Sequence, residues 1–271
     1  HSAKGKALHK LKLELPQAKS LGDILSEGEQ RAIAIASFLA EVNIGGGTGG
    51  IVFDDPVSSL DHKRRERVAA RLIQEAAKRQ VIIFTHEVYF LCVLMEEANR
   101  AGVACVTQSL WKKPEGCGVA DPNLPFEGMN TKARVGALRN EQQKIAKLYK
   151  VGDDSEHRKQ TIYAYFQLRL AWERAVEEVL LREVVLRFRK GISTKPLAGV
   201  VVDDADYTRI DQAMTRCSNY AHDQALLGGV AIPDPDELLA DINALDDWRM
   251  QVEKRSDDVA KKRKAGTVTT P

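Results

Sequence analysis

Apolar positions Ile33, Ala36, Phe38 and Leu39 recur at helical spacing between Ser26 and Val42, and Ser26 with Glu29 three residues later forms the sequence pattern of a capping box. The Gly-rich run from Gly45 to Gly50 ends that helix. Ile51-Val52-Phe53-Asp54 then reads as a short apolar strand, Asp61 to Arg79 as an amphipathic helix, and Val81-Ile82-Ile83-Phe84 as a second buried strand. A helix over 88–100 and a strand from Val103 to Leu110 continue the alternation. Short apolar strands separated by helices predict a parallel sheet covered on both faces. From Lys112 to Asn130 the chain turns to Pro, Gly and Asn without periodicity. Beyond it the pattern is helical over Thr131–Lys150, Ser155–Arg189, Tyr207–His222 and Asp236–Lys254. The expected organisation is an α/β lobe over 1–111, a linker over 112–130, an all-helical domain over 131–255 and a basic flexible tail over 256–271.

Composition adds limits. With 271 residues, 44% hydrophobic and 29% charged, the chain has the make-up of an ordinary folded protein. A formal charge of +2 points to no global field for nucleic acid, although Lys254 to Lys264 is locally basic. That stretch reads first as a solvated end and second as a phosphate-contacting arm. Cys92, Cys105, Cys117 and Cys217 match neither a metal-binding spacing nor a disulfide framework, which leaves reduced thiols as the expectation. No apolar run approaches the ~20 residues that span a bilayer, and no signal-peptide core is present, so a cytoplasmic protein without a membrane partner is expected. The opening His-Ser-Ala-Lys-Gly-Lys, without an initiator methionine, is what an excised or incomplete chain shows.

Candidate chemistry lies in an ordered set: Leu25-Ser26-Glu27-Gly28-Glu29-Gln30, Ile51-Val52-Phe53-Asp54-Asp55-Pro56, Ser58-Ser59-Leu60-Asp61 and Thr85-His86. Free N–H groups at a helix start attract phosphate, and glycine at Gly28 allows close backbone approach. A carboxylate ending a buried strand, here Asp54, is placed to hold a magnesium ion. In this order the segments resemble the signature, Walker B, D-loop and switch-histidine motifs of an ABC-class ATPase of the SMC/RecF type, over roughly the first 110 residues.

The resemblance implies ATP and Mg2+ as cofactors, with Ser26, Gly28, Glu29, Gln30 and Asp61 contacting nucleotide across a homodimer that sandwiches two ATP molecules. It implies that Asp55 polarises the attacking water, where most such enzymes carry glutamate, and that His86 contacts the γ-phosphate. As isolated residues, Asp61 reads first as a helix N-cap and His86 as a polar residue closing a strand; the ordered company of the other motifs reverses that preference. No GxxxxGK[ST] occurs in the 271 residues, and the Gly45–Gly50 run lacks the Lys of a phosphate loop. The expected missing partner is therefore a Walker A lobe, upstream or on another chain. The implied role is an ATP-driven switch in DNA repair or anti-phage defence, with DNA or RNA as a possible partner.

In the helical half, Arg169 and Glu173 are spaced i,i+4, and Arg216 precedes His222 by six positions. This set is similar to that of anticodon nucleases of the PrrC and RloC kind and to the Arg…His signature of HEPN ribonucleases. An imidazole with guanidinium groups suits RNA cleavage without a metal. The plain alternative is an ordinary surface ion pair and a histidine that closes a helix. Trp111, Trp172 and Trp248 read as packing anchors, and Leu168, Trp172, Val176, Val179 and Leu180 as one buried stripe.

Overall fold

A computed structural model describes residues 2–3, 6–7, 24–46, 49–114, 116–186, 191–221 and 231–267. The chain forms two compact units, His1–Pro122 and Asn123–Pro271.

The first unit contains a two-residue antiparallel pairing of β1 (Ser2–Ala3) with β2 (Lys6–Ala7), then α1 (Glu27–Ile44), β3 (Ile51–Asp54), α2 (His62–Ala76), β4 (Val81–Phe84) and α3 (Val88–Ala101). β3 and β4 pair in parallel, Ile51 opposite Val81 and Asp54 opposite Phe84. Apolar packing decides the fold here. Leu39 of α1, Ile51 and Phe53 of β3, Leu72 and Ile73 of α2 and Phe90 and Leu94 of α3 meet in one buried cluster. Alternation along each strand sends the other side chains outward, and Val52 (56% exposed), Ile82 (41%) and Phe84 (46%) lie open. The parallel pairing agrees with the sequence reading, but among the described residues the sheet has two strands and one uncovered face. Glu75 of α2 has a fully covered carboxylate; burial raises its pKa, but hydrogen bonds from Arg71 and Arg79 outweigh that and hold it below the usual range.

The expected strand over 103–110 is displaced. The strand is β5 (Ser109–Lys113), paired antiparallel with β6 (Gly116–Asp121) inside the stretch read as linker. Gly116, at the start of β6, has φ 153°, and Gly118, at φ 78°, sits at the register shift between Trp111 and Lys113, so glycine accommodates a hairpin where the composition suggested only loop. Trp111, expected as a packing anchor, stands 45% exposed on this hairpin.

The second unit packs α4 (Thr131–Val151), α5 (Asp154–Ala175), α6 (Asp204–Ala221) and α7 (Pro235–Thr267) around one core. Asn130 and Asp153 cap the first two helices, accepting from the N–H groups of Ala133 and Glu156. Trp172 and Trp248 are buried with ring centroids 5.2 Å apart. α5 stops well short of Arg189. It widens into a π turn at Val176–Leu180, and Arg182 and Glu183 then take left-handed backbone at φ 49° and 58°. The π turn carries Glu178, which accepts hydrogen bonds from the backbone N–H and the hydroxyl of Thr131 at 2.9 Å each and so caps α4. α7 continues to Thr267, so most of the segment expected to be a flexible tail is helix.

Candidate functional site

Three segments meet in the first unit: the start of α1, the loop between β3 and α2, and the loop between β4 and α3. α1 begins at Ser26 with both arms of the capping box: the Ser26 N–H donates to Glu29 Oε2 at 3.0 Å, and Ser26 Oγ accepts from the Glu29 N–H at 3.4 Å. The Glu29 carboxyl is held below its usual pKa by the Ser26 backbone N–H first and by the Ser26 hydroxyl next. Its other oxygen takes Arg64 Nη2 at 2.8 Å. Gln30 donates from its amide to the Leu25 carbonyl at 2.9 Å. Gly28 is buried, and a Cβ there would stand 2.4 Å from the Ser59 carbonyl oxygen. This contact brings the start of α1 against the loop that follows β3.

That loop is bent at two non-glycine residues, Asp55 (φ 43°) and Ser59 (φ 66°). Left-handed backbone at such residues is uncommon and clusters at functional sites. The Asp55 N–H donates to the Phe84 carbonyl at 2.8 Å, and the Asp55 carbonyl accepts from Arg31 Nη1 at 3.0 Å. Asp55 Oδ2 lies 3.4 Å from His86 Nδ1, while Asp55 Oδ1 is buried with no hydrogen-bond partner. Asp54, at the exposed end of β3, neighbours this group in sequence. Asp61 caps α2, accepting from the Arg64 N–H at 2.9 Å, with Arg64 Nη1 3.0 Å from its second oxygen. The N-cap alternative for Asp61 is therefore realised in the structure.

Arginines tie the group together, and the sequence reading missed them. Arg65 donates to the Leu60 carbonyl at 2.8 Å and reaches Glu87 at 2.6 Å, joining the loop before α2 to the one before α3. Arg31 follows Gln30 directly, and Arg64 and Arg65 fall three and four residues after Asp61; that proximity to the motifs was the available signal. Ser26, Gly28, Asp55, Asp61 and His86 thus belong to one continuous hydrogen-bonded and packed group.

Among the described residues no group of three or more His, Cys, Asp or Glu side chains is placed to hold a metal ion. A magnesium ion that travels with nucleotide needs less, since phosphates and water supply most of its ligands and the protein adds one or two carboxylates. The orphaned Asp55 Oδ1 and the exposed Asp54 carboxylate fit that smaller demand.

In the second unit the Arg169–Glu173 pair is loose, Nε to Oε1 3.5 Å, and such surface pairs contribute only ~0.3–0.5 kcal/mol. Arg169 Nη1 also donates to Ser218 Oγ of α6 at 3.4 Å. Arg216, two residues before Ser218, donates to Asp241 Oδ2 at 2.5 Å and lies 3.7 Å from Glu237. Tyr165 donates its hydroxyl to the same Asp241 oxygen at 2.5 Å, and the Tyr165 and Tyr220 rings stand 4.6 Å apart. Burial, with the Tyr165–Asp241 hydrogen bond next, raises the Tyr165 pKa far above its usual value. Between the arginines Cys217 is buried, and burial with the Asp241 charge pushes its thiol up to about 12. Arg169, Glu173 and Arg216 therefore lie on the adjoining helices α5 and α6, while His222 falls outside the described residues. Tyr165, Asp241 and Ser218 were not legible as members, because their partners lie 25 to 76 positions away.

Comparison with known proteins agrees with the first unit. A protein-family profile described as an AAA domain matches residues 11–117. This stretch is a partial AAA-type ATPase domain. No curated protein and no solved structure matches the chain. Among the described residues no helix is long and apolar enough to cross a membrane.

Proposed function

We propose that the first unit is the signature and Walker B half of an ATP-hydrolysing switch of the SMC/RecF type. The observation that carries this reading is the joining of the α1 start, the β3 end and the His86 loop through Gly28–Ser59, Arg31–Asp55 and Asp55–His86. Asp54 and Asp55 would hold magnesium and orient water, and the ion would supply charge neutralisation on the phosphates. His86 is exposed and joined to Asp55, so one side faces the carboxylate and the other is open to a γ-phosphate. Ser26 and the N–H groups that begin α1 would receive the triphosphate of a second copy across an ATP-sandwiching homodimer. Glu29 now occupies that helix start, so binding would require it to release Ser26 while keeping Arg64.

The phosphate-gripping lysine would come from a Walker A lobe outside these 271 residues, and the chain alone should bind ATP weakly. Steady phosphate release by an assembly joining this chain to such a lobe tests the reading. Asp55→Asn should lower the rate by at least about 10²-fold with nucleotide binding retained. Unchanged turnover in that variant would remove Asp55 from the mechanism.

A second reading, an ATPase-gated RNA endonuclease of the HEPN kind, draws support from the Arg169–Ser218 contact, which sets the Arg169–Glu173 pair against the turn of α6 that carries Arg216. Asp241 and Glu237 oppose it by neutralising Arg216. His222→Ala should abolish RNA cleavage by the full-length protein if this site cuts; cleavage that persists would end the second reading.

A further inference from the structure

The C-terminal half of α7 separates its basic residues by side. Arg255 pairs with Asp203 and Asp206, and Arg263 Nη1 donates to the carbonyls of Leu197, Ala198 and Val200 at 3.1–3.2 Å. These arginines fasten the helix to its own unit. The lysines do the opposite: Lys254, Lys261, Lys262 and Lys264 are all exposed, and none forms an ion pair among the described residues. The nearby Asp257 is taken by Arg182 at 2.8 Å, which leaves Asp258 as the one exposed acid on this stretch without a salt bridge.

At ~100° per residue, Lys254, Lys261 and Lys264 fall within about 80° of arc, with Lys262 on the flank. The helix dipole accounts for a lysine in the last turn, Lys264, and for little beyond it. At ~1.5 Å per residue the ridge from Lys254 to Lys264 is about 15 Å long. One strand of duplex DNA presents a phosphate every ~3.4 Å of axis, so the ridge faces about four in succession.

We propose that this lysine ridge docks on the phosphate backbone of duplex DNA without reading sequence. Single-stranded nucleic acid is recognised largely by aromatic stacking, and residues 249–267 contain no aromatic side chain. Stable seating on an anionic membrane surface draws on an apolar face beside the basic one, but between Lys254 and Lys264 the apolar side chains, Val259 and Ala260, are half-buried. Reading adenine in the major groove takes Asn or Gln, and residues 254–264 contain neither. The proposal concerns the second unit and stands apart from the nucleotide site.

The test is fluorescence anisotropy of a labelled duplex titrated with the 271-residue chain between about 50 and about 200 mM salt. Four released counterions give a log–log slope of about −3.6, or an affinity loss of roughly a hundredfold over that range. Replacing all four lysines with Gln should flatten the slope by about three to four, with helicity unchanged by circular dichroism. Asp258→Asn should tighten binding severalfold. The proposal is overturned if the four-lysine variant keeps the wild-type slope and affinity. It is equally overturned if single-stranded RNA or vesicles rich in phosphatidylserine bind more tightly than the duplex.

Discussion

His157 lies in the first turn of α5 against the Tyr149 ring, with centroids 5.0 Å apart, and its Nε2 is buried without a hydrogen-bond partner. Burial depresses its pKa, while Asp154 and Asp234 act in the opposite direction and do not restore it. The folded state therefore binds fewer protons than the unfolded one around the ordinary histidine range near ~6.5. Stability from this residue is complete above that range and declines as the pH falls through it. Thermal unfolding should show a melting temperature of the second unit that drops between about pH 7 and about pH 5, and His157→Gln should reduce the drop. A variant with the wild-type pH profile would assign the effect to other groups. Individual residues were also where the sequence was most informative in the first unit. The Ser26–Glu29 box and the Asp61 cap depend on partners three residues away, and such local hydrogen bonds are written in adjacent letters. Arg31 and Arg65 act over longer range or on backbone carbonyls, which no spacing reveals.

Elements followed the same division. β3, α2, β4 and α3 were legible because strand alternation and helical spacing are set by burial within each segment. The end of α5 was not, since its apolar stripe runs on through Val179 and Leu180 while the π turn answers to Thr131, 47 positions earlier than Glu178. The length of α7 was hidden for a similar reason: a charged segment reads as solvated until Asp203, Asp206 and three carbonyls claim its arginines. At this scale the joint between α1 and the loop after β3 is the most exacting contact. Gly28→Ala would force a Cβ to within 2.4 Å of a backbone carbonyl, so the loop must shift. Chemical denaturation should show a loss of roughly 1–3 kcal/mol for the first unit. Gly136→Ala, on α4 with nothing within 4 Å, should gain up to about 1 kcal/mol. Equal effects of the two changes would mean that the α1 joint is not tight.

Across the molecule, the outward side chains of β3 and β4 have the widest consequence. Val52, Ile82 and Phe84 belong to strands whose uninterrupted apolar run suits burial on both faces, yet they stand open among the described residues. A greasy patch on a sheet that has only two strands among the described residues invites adhesion to any similar patch, so the colloidal behaviour of the purified chain should be governed by these few atoms. Dye fluorescence with anilinonaphthalene sulfonate and light scattering at rising concentration should both fall in a Val52→Thr, Ile82→Thr double variant of unchanged circular dichroism. Clear solutions of the unaltered chain at high concentration, dark to the dye, would mean that the patch is shielded in solution.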